Sequence, residues 1–297
     1  MKKIKDFVLA VIREFINDDT MTLAASLSYY TIFSIAPILV IVIGITSLFT
    51  GGAGMQTQLF NELGGLFGYE TATQLKEVVN NAKLSGKSAM ATIISVATLL
   101  VSATVVVGQL KKSLNTAWNI KEKPTNGILN MLKNRLLSVA FIAGLGFIFL
   151  VSLGLNSLAT SLGEAILYRL PEAGETFAQV LSFILSMVIT FFMFVLLYKY
   201  LPDAKISRNN LYFGALITSI LFIIGKFAIG FYVGNTEVAS TFGSAAALVS
   251  LLLWVYYSSV VVILGAEITQ VRGRMRGDLI DPSEGAVKII EEEVKMS

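Results

Sequence analysis

Residues 177–200 read FAQVLSFILSMVITFFMFVLLYKY, with Lys199 as the sole charge. A bilayer core is about 30 Å thick, so a helix rising about 1.5 Å per residue needs about 20 apolar residues to cross it. A strand of a transmembrane barrel would instead alternate in polarity over about 10 residues. Phe191–Leu197 (FFMFVLL) does not alternate, and neither does the earlier run Ile38–Ile45 (ILVIVIGI). These stretches therefore read as spanning helices.

Working outward, the same reading gives spans at about 27–49, 89–109, 136–158, 177–200, 210–232 and 245–268. Composition agrees: 55% of the 297 residues are hydrophobic, 14% are charged, and mean hydropathy is +0.72. That is more apolar surface than a soluble domain of this length needs for its core. The expected fold class is all-α: a polytopic membrane protein with six transmembrane helices in one domain, 1–275, followed by a tail, 276–297. The tail, with Asp281-Pro282 and Glu291 to Glu293, reads as a short solvated helix or a disordered end.

Charge placement sets the orientation. With the N-terminus cytoplasmic, 18 of the 23 Lys and Arg fall on inner segments, four on outer ones (Lys76, Lys83, Lys87, Arg169) and one, Lys226, within a span. The positive-inside rule then places both termini in the cytoplasm. Ile4, Phe7, Val8, Val11, Ile12 and Phe15 form one helical stripe with Lys2, Lys3, Lys5 and Arg13 off it. This pattern predicts an amphipathic helix lying at an anionic leaflet. Its periodic apolar positions, with no small-residue cleavage site before Asp18 and Asp19, speak against a signal peptide. In the first outer segment, Leu59, Phe60, Leu63, Leu66 and Phe67, then Leu75, Val78, Val79 and Ala82, predict short surface helices.

The chain has no histidine and no cysteine. That removes imidazole bases, thiolate nucleophiles and the usual zinc sites, and leaves carboxylate chemistry alone. No nucleotide-binding loop is present. The sequence is therefore read as that of a non-enzyme, with no cofactor and no metal expected. Intramembrane polar residues are the remaining candidates. Pro37 interrupts the backbone bonding of the first span, and Tyr29 and Tyr30 make the inner half of that helix polar. Lys226 is a charge well inside a span, a functional position by default or one that snorkels outward. Glu267 lies near the inner end of the sixth span, at a different depth from Lys226, and is expected to pair with an inner-loop Lys or Arg; Glu237 matches Lys226 better in depth. Gly243 with Ala247, and Ala140 with Gly144, have the small-xxx-small spacing of close helix packing. The basic stretch Lys111 to Arg135, which contains Trp118, suits anionic lipid better than nucleic acid. With Glu122 as its one carboxylate, that stretch gives no basis for two-metal nuclease chemistry.

A set of motifs in fixed order resembles the YihY/BrkB family of bacterial inner-membrane proteins, once labelled ribonuclease BN. They are Ala24, Ala25 and Ser28-Tyr29-Tyr30 before Phe33 and Pro37; Leu114-Asn115-Thr116-Ala117-Trp118-Asn119; Tyr200-Leu201-Pro202; Phe242-Gly243-Ser244; Leu252-Leu253-Trp254-Val255-Tyr256-Tyr257; and Leu264-Gly265-Ala266-Glu267. Phe242 stands where that pattern has a tyrosine. The resemblance covers about 20–272. It implies a six-span inner-membrane protein, and some family members are linked to serum resistance or to export of lipopolysaccharide precursors and envelope lipids. The expected function is envelope lipid or glycolipid transport or its regulation, with anionic membrane lipids as partners. A membrane scaffold with envelope protein partners and a secondary transporter of small solutes are the alternatives.

Overall fold

The computed structural model describes residues 2–50, 57, 59–64, 69–84, 89–123, 137–138, 140–148, 151–152, 155, 171–235 and 246–289. The helices are α1 (Lys2–Asn17), α2 (Thr20–Thr50), α3 (Tyr69–Leu84), α4 (Ala89–Ala117), α5 (Pro171–Tyr200), α6 (Arg208–Asn235) and α7 (Ala246–Arg276). Short strands β1 (Ile120–Glu122), β2 (Ala204–Lys205), β3 (Asp281–Pro282) and β4 (Ala286–Lys288) lie between and after them. Residues 137–138, 140–148, 151–152 and 155 are helical, within the stretch read as the third span; the rest of that stretch lies outside the described residues, as do Glu237, Phe242, Gly243 and the tail beyond 289.

The helices start and stop where their sequence requires. α1 ends at Asn17, and Asp19, at a φ of 48°, turns the chain while its carbonyl accepts the Leu23 N–H at 3.1 Å. Asn119 (φ 54°) stops α4 and Gly277 (φ 73°) stops α7, both in the left-handed conformation common just after a helix C-terminus.

α2 packs on α4, α7 on both α6 and α2, and α5 on α6. The α6–α7 pair is antiparallel and close. Thr218 and Gly265 face each other across it, as do Gly214 and Thr269, and the Tyr257 hydroxyl donates to the Leu221 carbonyl at 2.6 Å. Three described stretches are long and apolar enough to cross a membrane: Gln179–Tyr200, Arg208–Tyr232 and Leu248–Arg276. Their outer faces confirm what that length suggests. Phe177, Val180, Phe183, Ile184, Val188 and Phe192 on α5 are exposed, and so are Tyr212, Leu216, Ile220, Ile224, Phe227 and Phe231 on α6. Such continuous apolar stripes suit a hydrocarbon solvent.

Two cores divide the bundle by height. At one end Leu59, Phe60 and Leu63, with Ala72, Leu75 and Val79 of α3, cover Leu39, Ile43, Leu251 and Trp254. The short-helix expectation for this segment holds where it is described. At the other end Leu114, Trp118, Phe194, Tyr198, Ile263 and Ala266 are joined by Ile280 and Ala286 of the tail. This is the basic end, where α4, α5 and α7 finish and α6 begins.

As far as residue 289 the tail departs from expectation there, whereas Glu291 to Glu293 lie outside the described residues. Instead of a solvated helix or a disordered end, β4 pairs antiparallel with β1 (Ile120↔Lys288, Glu122↔Ala286) and β3 with β2 (Ala204↔Pro282, Lys205↔Asp281). Burial of Ile280 and Ala286 in the core, together with these backbone bonds, holds it down. The tail thus straps the loops after α4 and α5 together. α1 is helical as expected, and buries Val11 with Phe7 and Ala10 against Ile268, Val271 and Phe213. Its other face leaves Ile4, Val8, Leu9, Ile12 and Ile16 exposed.

Candidate functional site

A cavity of about 940 Å³ opens at the basic end between the last turns of α4, the helical residues Leu137, Ser138, Ala140 and Phe141, and the loop after α5. Its floor is set by the Asn115–Asp203 pair. The Asn115 amide donates to Asp203 Oδ2 at 2.9 Å, and the Asp203 backbone N–H donates to Asn115 Oδ1 at 2.9 Å. Lys111 adds an ion pair to Asp203 at 2.9 Å and reaches Glu122 at 3.5 Å. Asn115 is buried, so both ends of its amide are used and the loop carrying Pro202 is fixed against α4. Above this floor, Val107, Leu137, Ala140, Phe141 and Leu201 form an apolar wall. Lys112 and Lys121 stand at the rim, exposed, and neither has a carboxylate partner among the described residues. An apolar trough under a cationic rim matches an amphiphile with an anionic head.

The residues singled out by sequence do not converge on this cavity. Tyr29 and Tyr30 face outward, with ring centroids 5.7 Å apart, and Tyr29 also meets Phe33 at 5.0 Å. Pro37 lies within the unbroken helix α2. Lys226 is half-buried on α6, at the level of Tyr257, and pairs with no carboxylate among the described residues. The α6–α7 register puts Glu267 about ten residues, or about 15 Å, away from that level. Glu267 is fully buried, but the expected Lys or Arg partner gives way to acidic neighbours: Glu14 and Asp18 come up from the end of α1, which packs along α7.

Of the motif residues, Asn115, Thr116, Tyr200, Leu201 and Pro202 line the cavity. Trp118 does not act as an exposed stacking platform. It is buried, its Nε1 donates to the Ala266 carbonyl at 2.9 Å, and its ring meets Tyr198 edge-on at 6.0 Å. Trp254 is buried against Phe222 at the opposite end. Gly265 is where α7 approaches Thr218 and Tyr198 most closely. Asp203 is the site residue that sequence reading missed. Its signal was its place directly after Pro202 in the Tyr-Leu-Pro motif, in a loop facing a basic helix end.

Apolar stripes long enough for a bilayer, above a strapped basic end, define an α-helical integral membrane protein. Within that class, the family model described as Virulence factor BrkB matches residues 11–288, and the chain belongs to this family. Relatives agree in kind. It is 28% identical over 265 residues to a UPF0761 membrane protein of Psychrobacter sp. (strain PRwf-1), covering 89% of this chain and 48% of the relative. A UPF0761 membrane protein of Alkalilimnicola ehrlichii is 28% identical, with 89% and 58% covered. One of Mannheimia succiniciproducens is 27% identical, with 86% and 87% covered. The chain thus spans about half the length of the first two relatives. No solved structure matches it.

Proposed function

We propose that this protein binds anionic envelope lipid or glycolipid at the cavity of its basic end and takes part in moving that lipid, or in regulating its movement, at the bacterial inner membrane. In this reading the chain crosses the membrane six times with both termini cytoplasmic, and it is not an enzyme. The observation that carries the proposal is the pairing of an apolar wall (Val107, Leu137, Phe141) with the rim cations Lys112 and Lys121 in one cavity. The charge asymmetry of the whole sequence supports the orientation, and α1, with its exposed apolar face, suits the same leaflet.

Reconstitution into vesicles carrying a fluorescent anionic glycerophospholipid tests movement directly, by the rate at which an impermeant reductant quenches the inner-leaflet label. The expected result is a protein-dependent rate that falls several-fold in Lys112→Ala/Lys121→Ala. A rate equal to that of vesicles holding an unrelated membrane protein would remove transport, and the membrane scaffold would take its place.

A further inference from the structure

Three carboxyl groups meet beside the lipid-facing cavity but outside it. Glu14 lies in the last turn of α1, Asp18 in the turn that follows, and Glu267 on α7; one oxygen from each lies within 4.8 Å of the others. Arg274 is the cation in contact with the group, its Nη1 2.7 Å from Glu14 Oε1. Glu14 and Asp18 line a polar cavity of about 340 Å³, together with Asn17, Asn119, Gln270 and Lys288, and Lys288 directs its ammonium to the Ile280 carbonyl at 3.2 Å.

An acidic cluster alone would mean little. The independent observation is Glu267 itself: it has no exposed surface, and its Oε1 has no hydrogen-bond partner among the described residues. Its other oxygen is served. With the amide oriented to satisfy its surroundings, Gln270 donates to Glu267 Oε2 at 3.2 Å and to the Ala117 carbonyl, and accepts from Asn119 Nδ2 at 2.7 Å. A buried carboxylate with an idle oxygen, facing two further carboxylates, is costly unless a positive charge enters the group.

We propose that Glu14, Asp18 and Glu267 bind one hard divalent cation, of the Mg²⁺ or Ca²⁺ class, and that this ion ties α1 to α7. The ligands are all oxygens, and a chain with no histidine or cysteine offers a softer metal no preferred donor. Glu14 and Asp18 on the cavity wall give the ion a route from water, and Glu267 behind them supplies the dehydrated ligand. No metal was legible in the sequence because Glu267 lies most of the chain away from Glu14 and Asp18.

The probe is Mn²⁺, with binding to the detergent-solubilised full chain read as loss of the free-ion electron paramagnetic resonance signal. One saturable site is expected, displaced by Mg²⁺ or Ca²⁺. Glu267→Gln should weaken it by about ten-fold or more, since one charged ligand of three is lost. Glu14→Gln, on the accessible wall, should weaken it likewise, and it serves as the reading should the buried variant fail to fold. Absence of a saturable site in the wild-type protein, or unchanged affinity in folded Glu14→Gln, would overturn the proposal and leave a shared proton as the neutralising charge.

Discussion

Trp118→Ala is expected to destabilise the protein by about 3–5 kcal/mol, the usual cost of truncating a fully buried aromatic side chain. The side chain is 1% exposed and sits where α4, α5, α7 and the tail meet. Removing it leaves a void between Tyr198, Leu114 and Ala266, and deprives the Ala266 carbonyl of the Nε1–H donor at 2.9 Å. Trp118→Phe keeps most of the packing and loses that bond, so its cost should be nearer about 1 kcal/mol. Thermal unfolding in detergent, followed by the fluorescence of the remaining Trp254, separates the three proteins. Equal melting of wild type and Trp118→Ala would mean that the basic end is not packed as described.

Gly265→Ala is the second large effect. A methyl group there would collide with Thr218 Oγ1 and the Tyr198 hydroxyl. Neither has room to turn away without loss: Thr218 Oγ1 lies 2.8 Å from the Gly214 carbonyl, and the Tyr198 hydroxyl lies 2.8 Å from Thr218 Oγ1 and 2.7 Å from the Val262 carbonyl, so two hydroxyl protons serve these three contacts. Overpacking of this kind costs about 1–3 kcal/mol. Thr218→Ala added to Gly265→Ala should recover part of it, a coupling of about 0.5–3 kcal/mol between touching residues. Gly108 on α4 is the control: a methyl group there meets nothing within 4 Å, so Gly108→Ala should be neutral or slightly stabilising. The melting temperatures of these variants check the order. Gly265→Ala melting with wild type, or a double variant melting below both singles, would contradict the close α6–α7 approach.

The helices were legible because bilayer length and hydrocarbon compatibility act on each segment locally. Residues 177–200 and 210–232 each declare a span by themselves, and α5 and α6 cover them. α2 begins at Thr20, seven residues before the expected span, directly after the turn at Asp19, whose carbonyl accepts the Leu23 N–H. The points of close helix approach were less legible. Small-residue spacing pointed to Gly144, where an added methyl group would meet nothing within 4 Å among the described residues, whereas Gly214, Gly225 and Gly265 are crowded by side chains of the facing helices. Spacing identifies a small residue but not which partner lies opposite.

The basic end was the least legible part. β1 to β4 are two or three residues long, too short for a period-two pattern to register, and their partners come from loops more than 75 residues away in sequence. Lys111, Lys112 and Lys121 were visible as a basic stretch. Their division into a floor cation paired with Asp203 and Glu122 and two rim cations depends on how the loop after α5 folds back. The same holds for Glu267, whose neighbours are decided by where α1 docks.

Mass spectrometry of the lipids retained by the purified protein tests the central claim most directly, with an unrelated six-span protein extracted identically as the reference. Enrichment of one anionic lipid class in the wild type, lost in Lys112→Ala/Lys121→Ala while that variant melts normally, is the result the cavity predicts. A retained-lipid profile matching the reference protein, or an enrichment untouched by the two substitutions, would contradict it.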